Sequence, residues 1–181
     1  IKNGVLNTLL LISLVRSGSD LTKQLAARAM LNVACNVDNL NSIVDVGAIG
    51  AFATLAGVQN PAIQNMCAKF FLLFATCSDH SRAELCKRAN VLKAIFGLLK
   101  SGRNQSKIII LVGRTVCTIL SDPLTRLSAI RAGALSVLKV IATSEYGELR
   151  DLTANIVITL VKDQTLHQYL LREPIVSVLV Y

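Results

Sequence analysis

The stretch IVDVGAIGAF, residues 43–52, reads as apolar helix on both sides of Gly47, yet glycine is the residue that a helix interior tolerates worst apart from proline. Periodicity explains it. A step of 43 residues forward from Gly47 reaches Asn90, in KRANVLKAIFGLL (87–99), a second reaches Gly133, in IRAGALSVLKVI (130–141), and one step back reaches Gly4, in NGVLNTLLLI (3–12). Glycine and asparagine are the residues that enter the left-handed region at least cost. Columns behind them stay in register: Leu6, Ile49, Leu92 and Leu135; Leu9, Phe52, Ile95 and Leu138; Ile12, Leu55, Leu98 and Ile141. A repeat of this length marks a stacked solenoid. In each unit a short helix is expected to end at Gly4, Gly47, Asn90 or Gly133, turn through φ > 0 and start a second helix at once.

Composition agrees with such an array. The chain has 181 residues, of which 52% are hydrophobic and 17% charged, enough apolar material for a core and incompatible with a disordered chain. Leu, Ala, Ile and Val recur three and four residues apart, without the alternating runs and Asn-Gly turns of a sheet, so the class is all-α. Short polar stretches separate the helices: RSGSD (16–20), NVDN (36–39), VQNP (58–61), CSDHS (77–81), KSGRN (100–104) and SDP (121–123). None is long enough to link domains. The longest apolar runs, such as VLNTLLLISLV (5–15) and NIVITLV (155–161), fall short of the roughly 18–20 residues of a membrane-spanning helix, which reads as a soluble chain. An isoleucine at position 1 and the uncapped run PIVSVLVY (174–181) read as a piece of a longer array, whose free ends would be covered by flanking repeats.

The residues resemble the armadillo repeat, whose units carry a short first helix ending in EAGA, a second of the type LPALVQLL and a longer third ending near ALSNLA. IVDVGAIGAFATLAG (43–57), LCKRANVLKAIFGLLKSG (85–102) and AIRAGALSVLKVIA (129–142) match the first two helices, and LAARAMLNVACN (25–36) the end of the third. The resemblance implies one domain, 1–181, forming a right-handed α-solenoid with a period of about 42–43 residues. A partial repeat over 4–36 precedes full repeats over 38–78, 80–121 and 123–162, and another begins over 164–181, where Pro174 falls near the glycine column at a spacing of 41. A HEAT-like array is the nearest alternative, but its two-helix unit does not call for glycine before the middle helix.

Catalytic chemistry finds little to work with. There is no phosphate-binding glycine loop, nucleophile elbow or H-E-x-x-H, and the two histidines, His80 and His167, fall in different units. No enzyme activity and no cofactor is expected. Cys77 and His80, flanked by Cys67 and Cys86, have the spacing of two zinc ligands but not of a closed site, so no metal is expected either. Cys35 and Cys77 are instead expected as small buried residues at the ends of third helices. Five scattered cysteines without a C-x-x-C pair suit a reducing compartment, cytoplasmic or nuclear.

Charge is the remaining signal. The net charge of +8 comes from residues 80–140, where eleven Lys and Arg face only Glu84 and Asp122; such a field favours acidic partners. Arg126, Arg131 and Arg172 are adequately explained as solvated surface. The resemblance implies that third helices line a concave groove. In grooves of the importin alpha type, a Trp and an Asn one turn apart hold an extended basic peptide. In that Trp column this chain has Arg28, Phe70 or Phe71, Arg114 and Asn155, and in the Asn column Asn32, Phe74 or Ala75, Thr118 and Thr159. The pattern is more similar to the basic groove of the beta-catenin type. It implies an extended acidic protein segment held by Lys23, Arg28, Asn32, Lys69, Lys107, Arg114, Thr118 and Asn155, with Phe70 and Phe74 as apolar anchors. Two other classes stay open: nucleic acid or an anionic lipid surface, though the basic stretch has few interleaved aromatics, and a purely structural spacer.

Overall fold

The computed structural model describes residues 18–101 and 105–171, together with Gly4, Asn7 and Leu10. All regular structure among these residues is helical. Helix α1, Asp20–Ala34, is followed by three triplets of short, short and long helices: α2 (Leu40–Asp45), α3 (Ala48–Leu55) and α4 (Pro61–Cys77); α5 (Asp79–Cys86), α6 (Ala89–Ser101) and α7 (Ser106–Ser121); α8 (Pro123–Arg131), α9 (Ala134–Ala142) and α10 (Gly147–Lys162). A short α11, His167–Leu170, starts the next unit. Among the described residues no single helix is long and apolar enough to cross a membrane.

Several boundaries have a local cause. Ser19, Asn60 and Asp122 accept hydrogen bonds from first-turn amides of α1, α4 and α8, and Pro61 and Pro123 occupy the first turn, where their missing N–H would be unpaired anyway. Ser78 and Ser81 form a reciprocal capping box on α5. A polar residue at each junction also reaches back to an end carbonyl of the preceding long helix. Asn39 Nδ2 donates to Val33 O at 3.1 Å, Ser81 Oγ to Phe74 O at 2.6 Å, Thr125 Oγ1 to Ile119 O at 2.8 Å, and His167 Nε2 lies 2.8 Å from Val161 O. Carbonyls left open by the helix end are thereby satisfied.

The second-helix columns are the core. Ile49, Leu92 and Leu135, Phe52, Ile95 and Leu138, and Leu55, Leu98 and Ile141 are all buried; Leu6, Leu9 and Ile12 lie outside the described residues. Long helices pack side by side, α1 on α4, α4 on α7 and α7 on α10. Phe70 stacks between Phe52 and Phe74, with ring centroids 3.8 and 4.4 Å away. On α7 the backbone approaches its neighbour so closely that a Cβ at Gly113 would lie 2.9 Å from Leu149 Cδ2.

Of the four expected left-handed positions, two are left-handed: Gly47 at φ +81° and Gly133 at φ +102°. Gly4 is helical and Asn90 lies inside α6. No residue other than glycine has positive φ among those described. The physical reason is spacing. Second helices begin at Ala48, Ala89 and Ala134, so the uniform 43-residue step averages two unequal ones and overshoots the middle turn. Arg88 stands where Gly47 stands: its carbonyl accepts from Val91 and Leu92 as that of Gly47 accepts from Gly50 and Ala51. That turn closes without a left-handed residue. Pro174 lies outside the described residues.

Arg126 departs from its expected role as solvated surface. It is 6% exposed. Its Nε donates to Leu120 O at 2.8 Å, Nη2 to Ser121 O at 3.1 Å and Nη1 to Asp163 Oδ2 at 3.0 Å. Arg82, one unit earlier, repeats the arrangement, with Nη1 to Ala75 O and Nε to Asp122 Oδ2, both 2.9 Å. Each arginine thus joins the end of one long helix to a carboxylate at the next junction.

Candidate functional site

Counting from the first residue of each long helix, Arg28, Lys69, Arg114 and Asn155 occupy the same place on α1, α4, α7 and α10, and all four are exposed. Asn32, Leu73, Thr118 and Thr159 follow one turn later, and Lys107 lies two turns before Arg114 on the same face. One face of the long helices, that of the expected groove, therefore presents cations from the first three, with Lys107 and Arg114 both on the third, and an amide from the fourth. The Asn32 and Asn155 amides make no hydrogen bond among the described residues and face solvent.

Three of the expected residues are corrected by this register. Phe70 and Phe74 are fully buried in the core and anchor nothing in the groove. Because Asn60 and Pro61 start α4 only 41 residues after α1 starts, a step of 42 or 43 from Arg28 lands on Phe70 or Phe71 instead of Lys69. Lys23 is half-buried and, five residues before Arg28, points about 140° away around the helix; it does not join the groove face.

The apolar surface of the groove lies elsewhere, in a cleft of about 490 Å³ between α4, α7 and α10. Leu72, Cys117, Leu152 and Ile156 supply its apolar wall, and Arg114, Thr118 and Asn155 its polar edge. Thr76, Thr118, Ser121 and Thr159 donate their hydroxyl hydrogens to carbonyls one turn back in their own helices, at 2.8–2.9 Å. Towards the cleft they offer oxygen lone pairs, and the threonines also methyl groups. Arg114 is not free: its Nε and Nη2 each donate to Glu148, at 2.9 Å. Glu148, Leu72 and Leu152 carry no sequence signal of their own; Leu72 falls on this face once α4 is counted from Pro61, and Glu148 and Leu152 lie on α10 two turns and one turn before Asn155.

Thiol chemistry finds little purchase. Burial pushes the Cys67 thiol far up, that of Cys86 up to about 12 and that of Cys117 up to about 11, which suppresses the reactive thiolate. Cys35 is exposed and Cys77 half-buried, contrary to the expected burial of both, because they cap or end their helices at the junctions instead of pointing inward. No group of three or more His, Cys, Asp or Glu residues is placed to hold a metal ion among the described residues.

No protein-family model matches the sequence, and none of the curated proteins matches it. Solved structures do match in fold. A designed armadillo repeat protein, solved in complex with the peptide (KR)4, superposes with a TM-score of 0.78 at 18% identity, over 97% of this chain and 73% of that one. An engineered protein superposes with a TM-score of 0.75 at 19% identity, over 96% and 69%. A second engineered protein gives 0.69 at 21% identity, over 84% and 60%. With its short-short-long helix triplets and its left-handed glycines, the chain has the armadillo-type α-solenoid fold.

Proposed function

We propose that this chain is a non-catalytic interaction scaffold that holds an extended, acidic protein segment along the groove of its long helices. The observation that carries the reading is the column Arg28, Lys69, Arg114 and Asn155, exposed and one per helix. Packed helices sit about 8–10 Å apart and an extended chain advances about 3.3 Å per residue. Carboxylates two or three residues apart would meet successive cations. Asn32 and Asn155 add the donor and acceptor pairs that a peptide backbone asks for. The designed armadillo protein of like fold holds a basic peptide; cations in the groove select against such a ligand here and favour one of opposite sign.

The test is a selection from a displayed library of disordered peptides against the wild type and an Arg28→Glu, Lys69→Glu double variant, with circular dichroism to show that both are folded. Acidic peptides are expected to enrich on the wild type and to vanish from the variant. Enrichment indifferent to the charge reversal removes the groove from the proposal. Polyanion binding that ignores peptide sequence and falls steeply with salt replaces the partner with a phosphate-rich one.

A further inference from the structure

Resting on the groove reading, we propose that Glu148 is a specificity-determining residue that ends the acid-reading column at the third cation. The partner is then charge-polarised: an acidic stretch over α1 and α4 leads into an uncharged stretch whose apolar side chain fills the cleft between α4, α7 and α10. Both carboxylate oxygens of Glu148 lie on the guanidinium fork of Arg114, the geometry by which an arginine takes a carboxylate ligand. An incoming carboxylate finds that fork occupied. The side chains of the pair are 45% and 58% exposed, and an exposed pair adds little to folding stability; its consequence falls on whatever enters the groove. Asp151, exposed one turn on, adds a second negative charge, and α10 puts the neutral Asn155 where the other long helices put a cation. Lys162 is two turns further, at the end of the helix.

What α7 and α10 offer on the column in place of a free cation is a cleft of about 490 Å³, room for a large apolar side chain. Its wall is Leu72, Cys117, Leu152 and Ile156. Its rim hydroxyls, already donating to their own helices, accept hydrogen bonds, which matches the backbone N–H groups of an extended segment and not further carboxylates. Lys107 on α7 and Lys162 on α10 each lie two turns off the column, so along the column itself free cations stand only on α1 and α4, and acid is attracted at that end and not at the other.

Three labelled synthetic peptides of equal length separate the outcomes by fluorescence anisotropy: one acidic throughout, one with an acidic half and a neutral half bearing a leucine, and the second with serine for leucine. The wild type is expected to bind the leucine peptide about fivefold more tightly than the fully acidic one. Glu148→Gln frees Arg114 and closes that gap by strengthening the fully acidic peptide. Thr159→Phe, filling the cleft from its rim, equalises the leucine and serine peptides while leaving the salt dependence intact. A wild type that binds the fully acidic peptide as tightly as the leucine peptide, or a preference that Glu148→Gln leaves unchanged, overturns the proposal. Failure of the groove reading looks different: no peptide binds, or binding survives Arg28→Glu, Lys69→Glu.

Discussion

Gly47 and Gly133 occupy backbone conformations in which a Cβ costs about 1–2 kcal/mol, whereas Asn90, two residues into a right-handed helix, is under no such constraint. Gly47→Ala and Gly133→Ala are each expected to lower stability by about 1–2 kcal/mol. Asn90→Ala should leave it unchanged or raise it by a few tenths, since alanine is the better helix former. Urea unfolding of the three variants decides it; an equal loss at position 90 would put a left-handed turn back there. The two glycines were legible because only their chemistry fits their backbone. Arg88 makes the equivalent turn in an ordinary conformation open to any residue, so nothing in its identity announces it, and a uniform period points to Asn90 instead.

Helix α7 is clamped between α4 and α10, and two of the helical glycines show what close packing does to a substitution. Gly113 is buried and a Cβ there would press on Leu149, itself fully buried, while Gly97 on α6 is exposed and meets nothing within 4 Å. Alanine at either site gains about 1 kcal/mol of helix propensity. At Gly113 overpacking of about 1–3 kcal/mol opposes it. Gly97→Ala is therefore expected to raise the melting temperature and Gly113→Ala to lower it, in the same thermal scan; shifts of the same sign would show that the α7–α10 contact relaxes freely. The groove was legible at this scale too, but only in part. Arg28, Lys69, Arg114 and Asn155 all stand out in the sequence, whereas among the long helices α4 falls out of register with an average period. Pro61 and Asn60 fix its start, whereas counting by an average period moved Phe70 and Phe74 from the core to the surface.

Across the whole array, cohesion between units depends on charge as well as on apolar columns. Burial works to raise the Asp122 carboxyl, but hydrogen bonds from Arg82 and from the Leu124 N–H outweigh it and hold it below the ordinary value. Asp163 is held low by its hydrogen bonds from Thr165, with Arg126 adding to them. A carboxyl depressed in the folded state stabilises it above the ordinary value, near 3.9, and the contribution is lost as pH falls through the folded value. The melting temperature should therefore drop as the pH is lowered below about 4. Asp122→Asn should melt below the wild type at pH 7, and the gap should shrink towards pH 2. A gap that stays constant over that range would remove Asp122 from the acid response.

The Arg126 side chain finds two of its partners, Leu120 O and Ser121 O, in the unit before its own and the third, Asp163, in the one after; Arg82 does the same with Ala75 O and Asp122. The piece that can be excised intact is therefore out of phase with the piece that the sequence repeats. A fragment ended at Lys162, the last residue of a triplet, would strand the Arg126 guanidinium without its carboxylate. One carried a few residues further, through Asp163 and its cap on Thr165, would keep it, so that boundaries for grafting, permuting or recombining these modules belong just inside the following unit.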